Sequence, residues 1–235
     1  DLERLVATLR EHQSGKVNST IEVQSLADQD WEKSWMDRFH PMQFGRQLWI
    51  CPSWSSPPDP DAVNIMLDPG LAFGTGTHPT TALCLEWLEQ QNLQDKLVVD
   101  YGCGSGVLGI AAALLGAQRV LAVDNDPQAI VASESNREVN GLEASQLAVY
   151  LPENFPPQPA MLPADILLAN ILAGPLEELA PAFASLIRPA GDLVLSGILP
   201  EQAPALLSCY QRWFKMSEPT ERDGWTRLCG TRRYT

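Results

Sequence analysis

A short glycine-rich stretch in the middle of the sequence has residue types that suit the binding of a cofactor. It begins at Asp100, directly after an apolar run, and has glycine at every second position from Gly102 to Gly106. Glycines at the turn between a strand and a helix let the backbone approach a ligand, whose polar groups then face the first helical amides. Because each ordered glycine costs conformational entropy, this density favours a cofactor loop over a turn that binds nothing.

Two classes of cofactor fit the spacing around this loop. The segment Gly104 to Gly109 has the pattern Gly-x-Gly-x-x-Gly, and Asp124 follows the next apolar run, where a carboxylate accepts hydrogen bonds from a ribose. Those features alone fit a dinucleotide and S-adenosylmethionine (SAM) equally. Asp100 distinguishes them, since a carboxylate before the first glycine repels a pyrophosphate and attracts the cationic methionyl end of SAM. We therefore predict SAM as the cofactor. The predicted contacts are Asp100, Gly102, Gly104, Asp124 and Asn125.

A second glycine-rich block runs from Asp68 to Thr81 and ends where a helix is predicted to begin. Pro79 suits the first position of that helix, and Thr77 suits its N-cap. The block has no Gly-Lys-Ser or Gly-Lys-Thr sequence, which excludes a nucleoside triphosphate loop. Two interpretations remain open: the block folds over a cofactor, or it is a capped loop that joins two domains.

Two further polar residues are candidates for the chemistry. Asn170 follows an apolar run that ends at Ala169, so it lies at the carboxyl edge of the predicted sheet, where open α/β sheets bind ligands. Its side-chain amide can accept a hydrogen bond from a substrate amine and thereby aim the lone pair of the amine nitrogen at a methyl carbon. The alternative is an asparagine that only forms a local turn before a helix. His78 lies beside the second glycine block, where a capping or turn role is favoured over that of a base.

The elements that must position these residues alternate along the chain. Short apolar strands without alternation are typical of parallel strands covered on both faces, so we predict an α/β, doubly wound sheet. Asp223-Gly224 between two strand-like runs, 215–221 and 225–231, predicts a closing antiparallel hairpin. The predicted strands are 96–100, 120–124, 165–169 and 192–196, and the predicted helices are 106–116, 127–140, 175–187 and 201–213.

The chain is predicted to have three parts. Residues 1–27, with a helix at 2–13 and a strand at 20–24, are interpreted as the remnant of an N-terminal α+β domain. Residues 28–60 form an interdomain region that ends in a proline-rich linker, and residues 61–235 form the catalytic domain.

Composition narrows the class of partner. The formal net charge of −13 argues against nucleic acid or an anionic membrane, and it suits a basic protein substrate or serves only solubility. Apolar runs stay well short of the roughly 20 residues that span a bilayer. The five cysteines are odd in number and lie neither in Cys-x-x-Cys pairs nor at ligand spacing from histidine, which favours reduced thiols in the cytoplasm and no metal.

Together, three blocks make the sequence resemble the bacterial ribosomal protein L11 methyltransferases. These are Asp68 to Thr81, Asp100 to Gly106 and Asn170 to Gly174, and the resemblance extends back to about Asp30. It implies a Rossmann-like, seven-stranded class I methyltransferase sheet and SAM-dependent methylation of the α-amine and of lysine side chains on a ribosomal stalk-base protein. A monomer that binds no nucleic acid is expected, and little of the family's N-terminal substrate-recognition domain is recognisable.

The resemblance also implies roles for individual residues. Asn170 is expected to face the substrate amine as well as the cofactor, and the family's pattern includes no obligatory proton-transfer residue. The implied cofactor contacts are Thr81, Gly102, Asp124 and Asn170, with Phe73, Gly74 and Thr75 as residues of the cofactor loop. Two rival functions remain: an oxidoreductase that uses NAD, and a scaffold that retains the methyltransferase fold without turnover.

Overall fold

The computed structural model describes residues 39–68, 76–155 and 162–234. All of these lie within one compact unit, Phe39–Thr235. The predicted helix at 2–13 and the strand at 20–24 lie outside the described residues. No helix of the described part of the chain is both long and apolar enough to cross a membrane.

A small three-stranded sheet precedes the main sheet. Strand β1 (Met42–Phe44) pairs antiparallel with β2 (Leu48–Cys51), which pairs parallel with β3 (Val63–Met66). The side chain of Asn140 binds both backbone groups of Met66, accepting from its amide and donating to its carbonyl at 2.8 Å each. The predicted domain boundary after residue 60 lies between β2 and β3, which pair with each other. The division of the chain into domains remains a proposal.

The remaining elements mostly alternate between helices and strands, as the sequence predicts, and the last three are consecutive strands. In chain order they are α1 (Pro79–Glu89), β4 (Leu97–Tyr101), α2 (Val107–Leu114), β5 (Arg119–Val123), α3 (Pro127–Val139), β6 (Leu147–Tyr150), β7 (Ala164–Asn170), α4 (Ala173–Leu186), β8 (Ile187–Ile198), α5 (Ala203–Tyr210), β9 (Phe214–Met216), β10 (Thr220–Arg222) and β11 (Trp225–Arg232). Short 3₁₀ turns at Pro152–Asn154 and Pro200–Gln202 complete the set.

The main sheet has the order β10-β11-β8-β7-β4-β5-β6, and β9 also pairs with β11. Strands β4 to β8 run parallel, while β11 is antiparallel to β8. Because β9 and β10 pair with successive parts of β11 on the edge that faces away from β8, the eight strands occupy seven positions. The predicted doubly wound, seven-stranded sheet is confirmed.

Two apolar cores cover the faces of this sheet. Val98 and Val120 belong to the core that includes residues of α1 and α2, whereas their neighbours Val99 and Leu121 belong to the core formed with α4 and α5. All four side chains are fully buried, which explains why the strands show no alternation of polar residues. The chain leaves β4 towards β5 and later returns on the other side of β4 as β7, so the strand order reverses there. Ligands of such sheets bind at this point, beyond the carboxyl ends of the strands.

Several element boundaries differ from the sequence-based prediction for local reasons. Strand β6 was not predicted because its four residues carry too little pattern. The predicted strand 215–221 is split into β9 and β10 before and after Pro219, which has no amide hydrogen for a ladder. The predicted helix 201–213 begins as a 3₁₀ turn and continues as the shorter α5. Asp223 and Gly224 adopt φ values of 49° and 77°, as the predicted hairpin turn requires.

Asp165 anchors the amino end of β7 through a group of polar contacts. Its carboxylate accepts from the Leu97 amide at 2.9 Å and from Arg188 Nε at 2.7 Å, and Lys96 Nζ lies 3.5 Å away. Burial alone would raise the pKa of Asp165, but the Leu97 amide and Arg188 outweigh it and hold the pKa below its usual value.

We expect Asp165→Asn to lower the free energy of unfolding at pH 7 by about 2 kcal/mol, because it removes hydrogen bonds to a charged group. A lowered pKa stabilises the fold above the ordinary value of 3.8, and that contribution is lost as the pH falls through the folded-state pKa. The difference between wild type and variant in urea unfolding should therefore shrink in acid, with exposed Asp61→Asn as the control. An equal loss at every pH would show that charge is not the cause.

Candidate active site

The glycine loop lies at the point where the strand order reverses. The amides of Gly102 and Cys103 donate to the carbonyl of Val123 at 2.7 and 3.0 Å, and the Gly104 amide donates to Asp124 Oδ2 at 2.9 Å. These bonds bring the loop after β4 against the end of β5. Gly102, Gly104 and Gly106 have φ values of 78°, 55° and 80°, a region that residues with a side chain rarely adopt, so the loop requires these glycines.

Helix α3 holds the loop on its other side. The hydroxyl of Ser133 donates to the Gly104 carbonyl, and the Asn136 side chain donates to the Ser105 carbonyl, each at 2.8 Å. Asp126 caps this helix by accepting from the Gln128 amide at 2.8 Å. The carbonyl groups of Gly104 and Ser105 are thereby satisfied by side chains of α3.

Asp100 is fully buried, at the position two residues before Gly102. Its Oδ2 accepts from the Gly109 amide in the first turn of α2 at 2.8 Å, which replaces the side-chain cap that Gly106 cannot supply. Its Oδ1 has no hydrogen-bond partner among the described residues. Burial raises the pKa of Asp100 to about 7; the Gly109 hydrogen bond opposes this shift, and the nearby Asp124 adds to it.

The first turn of α1 is fixed to the ends of two strands. The His78 side chain caps the helix by accepting from the Thr80 amide, and Pro79 occupies the first turn, as predicted. Thr77 was predicted as the N-cap and this was wrong, because His78 has the extended backbone of a cap and its Nδ1 reaches the Thr80 amide and hydroxyl. The buried Ser196 hydroxyl of β8 donates to the Thr80 carbonyl at 3.1 Å.

Asn170 ends β7 and contacts the same helical turn. Its Nδ2 donates to the hydroxyl oxygen of Thr81 at 3.3 Å. Thr81 is fully buried, whereas Asn170 is half-buried at the carboxyl edge of the sheet. The sequence-based position of Asn170 at this edge is therefore confirmed, and its partner is a residue 89 positions away in the chain.

These groups surround a cavity of about 490 Å³, within the usual range for small-molecule sites. On the β5 side its wall is polar and includes Asp124. Towards β8 and β11 the wall becomes apolar, and the rings of His78 and Trp225 meet edge to face with their centroids 4.8 Å apart. The lining residues are His78, Thr80, Gly102, Gly104, Asp124, Asn125, Asn170, Ile171, Leu172, Gly197 and Trp225.

The structure brings together five of the residues predicted to bind a cofactor, and the cavity is lined by Gly102, Gly104, Asp124, Asn125 and Asn170. Asp100 and Thr81 are buried behind this lining. Phe73, Gly74 and Thr75 lie outside the described residues. Trp225 was not predicted at the site, although the Asp-Gly turn before it was recognised, because the sequence does not show that β11 pairs beside β8.

The cavity suits a cofactor with a cationic group. Asp124 supplies a carboxylate, and Gly102 and Gly104 expose backbone that a ligand can approach closely. Asp100 lies behind this lining, and its Oδ1 has no hydrogen-bond partner among the described residues. Apart from His78, the lining residues of the described chain include no basic side chain. A sulfonium group is favoured by such surroundings, and a pyrophosphate is not.

This sheet order, with a glycine loop after β4 and a carboxylate after β5, defines the class I SAM-dependent methyltransferases. An RNA methyltransferase from Salinibacter ruber, solved with S-adenosyl-L-homocysteine, shares the fold at a TM-score of 0.52 and 18% identity, covering 65% of this chain and 92% of its own. The family model for ribosomal protein L11 methyltransferase (PrmA) matches residues 1–233. The chain belongs to the ribosomal protein L11 methyltransferase family.

Two relatives illustrate the match. The ribosomal protein L11 methyltransferase of Shewanella pealeana is 58% identical over 216 residues, which are 92% of this chain and 72% of the relative. A solved ribosomal protein L11 methylase from Lactobacillus delbrueckii subsp. bulgaricus aligns with a TM-score of 0.72 and 31% identity, covering 83% of this chain and all of that one. The resemblance seen in the sequence is confirmed, and the oxidoreductase alternative is not favoured.

Proposed function

We propose that this protein transfers methyl groups from SAM to amino groups of ribosomal protein L11. The observation that carries the proposal is Asn170, whose amide is fixed by Thr81 in a cavity with the glycine loop on one side and an apolar wall on the other. Membership of the family supports the choice of ribosomal protein L11 as the substrate.

The cofactor occupies the β5 side of the cavity in this proposal. Asp124 accepts hydrogen bonds from the ribose hydroxyls with Asn125 beside it, and the backbone at Gly102 and Gly104 lies close enough to contact the ligand. Bound SAM supplies a sulfonium methyl group, an electrophile that a neutral amine attacks directly. Contacts from Phe73, Gly74 and Thr75 stay a prediction from the sequence.

The acceptor amine must lose its proton before it can attack. At pH 7 this costs roughly 4.5 kcal/mol for a free lysine and about 1 kcal/mol for an α-amine, from their ordinary pKa values. The apolar wall formed by Ile171, Leu172 and Trp225 reduces the cost, because an amine in apolar surroundings has a lowered pKa. The α-amine is therefore the easier acceptor. A lysine, whose deprotonation costs more, benefits more from the lowered pKa.

We further propose a basic ribosomal protein as partner, without direct binding to nucleic acid. The formal charge of −13 supports both statements, since it attracts a basic protein and repels phosphates. A cytoplasmic, monomeric enzyme in which residues 1–27 belong to an N-terminal substrate-recognition domain fits the sequence-based interpretation.

The test is methylation of purified ribosomal protein L11 with isotope-labelled SAM, followed by mass spectrometry. We expect wild type to add methyl groups to amines, and Asn170→Ala to lower the rate about thirtyfold because a positioning hydrogen bond is lost. Calorimetry with SAM and with NAD accompanies the assay. Exposed Asn154→Ala is the control and should keep the wild-type rate. Binding of SAM without transfer to ribosomal protein L11 would overturn the proposed substrate, and binding of NAD alone would overturn the proposed chemistry.

A further inference from the structure

The turn between β10 and β11 places Trp225 at the cavity. The pairing of β11 with β8 begins at Thr226, opposite Ile198, whereas Trp225 lies one residue closer to the turn and pairs with Arg222 of β10. All three residues of β10 are exposed, and β10 is the last strand in the order of the sheet. The position of Trp225 therefore depends on what holds this exposed strand.

Two arginines of the hairpin formed by β10 and β11 bind helix α1. Arg227 Nη1 donates to the Leu83 carbonyl at 2.8 Å, and Arg222 Nη1 donates to Glu86 Oε1 in an ion pair. Leu83 and Glu86 are three residues apart, so both contacts lie within one turn of the helix. The bond from Arg222 holds β10 itself, and the bond from Arg227 holds the adjacent part of β11.

The same helix reaches the cavity at its other end. Glu86 and the N-cap His78 lie about two turns apart on α1, and the ring of His78 contacts the ring of Trp225. We propose that Glu86 and Arg222 are positioning residues for the methyl transfer. Their ion pair holds the turn between β10 and β11 against α1 and thereby keeps Trp225 in the apolar wall of the cavity. The inference rests on the proposed function, because this wall is the one assigned to the acceptor amine.

The ion pair acts on the acceptor through the surroundings of the amine. Glu86 and Arg222 are both partly exposed, so their pair contributes little to the free energy of unfolding. Without it the exposed turn moves, water reaches the wall beside Trp225, and a bound amine regains its ordinary pKa. At a pH of about 8.5 an α-amine with an ordinary pKa of about 7.8 is mostly neutral even then, whereas a lysine at about 10.4 is mostly protonated. Loss of the pair therefore slows transfer to lysine more than transfer to the α-amine.

The position of Trp225 is measured first, in the absence of any substrate. NMR chemical shifts of the His78 ring protons report the ring current of Trp225, and with three histidines in the chain the signals are assigned by substitution. In Glu86→Arg a second positive side chain faces Arg222, and we expect the His78 shifts to move towards those of Trp225→Leu. Exposed Glu143→Arg makes the same change in net charge and should keep the wild-type shifts.

Methylation of ribosomal protein L11 at saturating SAM and a pH of about 8.5 is then followed by peptide mass spectrometry, separately for the α-amine and for lysines. We expect Glu86→Arg to slow transfer to lysine about tenfold and transfer to the α-amine less than about threefold, since a rise of about one pKa unit leaves a tenth of the neutral lysine. Glu86→Gln and Arg222→Gln should each slow transfer to lysine about threefold, and the double variant no more than either, because both changes break one pair.

Calorimetric titration should give all these variants the wild-type Kd for SAM, which occupies the opposite side of the cavity in the proposed function. Unchanged His78 shifts in Glu86→Arg, additive effects of the two glutamine substitutions, weakened SAM binding or an equal slowing of both kinds of amine would each overturn the inference. If wild type methylates neither kind of amine, the proposed function fails, and the NMR comparison still decides whether the ion pair holds Trp225 in place.

Discussion

Replacing Gly102 by alanine is expected to weaken SAM binding by up to about a hundredfold, because an added side chain in a tightly packed site costs roughly 1–3 kcal/mol. Gly102 has a φ of 78°, and a Cβ at this position would overlap the Ile171 side chain. Ile171 is β-branched and follows Asn170 in the wall of the cavity, so it cannot rotate away freely. The loop or the wall must therefore move, and calorimetric titration with SAM measures the effect.

Gly224→Ala is the matched control for Gly102→Ala. Gly224 has a φ of 77°, but a Cβ there would meet no other atom within 4 Å. Both variants therefore carry a similar backbone strain of about 1–2 kcal/mol, and only the change at Gly102 also produces an overlap. Near-normal SAM binding by Gly102→Ala would show that the loop accommodates a side chain and that the close approach to Ile171 is unimportant.

The second large effect concerns Asp100 and the dependence of stability on pH. Burial raises the pKa of Asp100 to about 7 from its ordinary value of 3.8, with the Gly109 amide opposing the shift. A raised pKa means that the contribution to stability is fully present below 3.8 and is lost as the pH rises through 7. The shift of 3.2 pKa units (7 minus 3.8) corresponds to at most about 4 kcal/mol.

Asp100→Asn removes this titration because an amide stays neutral. Relative to wild type, the variant should gain stability between pH 4 and pH 7 by up to about 4 kcal/mol, as measured by urea unfolding at several pH values. Asp165→Asn serves as the opposite control, since the pKa of Asp165 is lowered and its variant should lose stability relative to wild type over the same range. Parallel pH curves for wild type and Asp100→Asn would contradict the prediction.

Much of the fold follows from local patterns along the chain. Val98, Val99 and Leu121 belong to apolar runs without polar alternation, which indicates strands covered on both faces, and the structure buries all three completely. The hairpin turn at Asp223-Gly224 follows from residue types that accept a positive φ. Strand β6 was missed because four residues do not distinguish a strand from a loop.

Part of the candidate site was also predictable from local patterns in the sequence. Gly102, Gly104, Asp124 and Asn170 each follow an apolar run, so a parallel sheet places them together at one edge. Trp225 could not be assigned to this edge, since its place depends on the pairing of β11 with β8. A capping or turn role for His78 was favoured from the sequence. Only the backbone angles at the start of α1 show that His78, and not Thr77, is the N-cap.

The sequence by itself determined the alternation of strands and helices, the glycine loop and the family to which the chain belongs, because these depend on residue types at short spacing. Only the tertiary structure decided that Thr81 meets Asn170, that Asp100 is buried with a pKa of about 7, and that Trp225 faces His78. Each of these three features depends on the order and register of strands that are distant in the chain. Long-range pairing is selected by burial over the whole sheet, so no local pattern in the sequence specifies it.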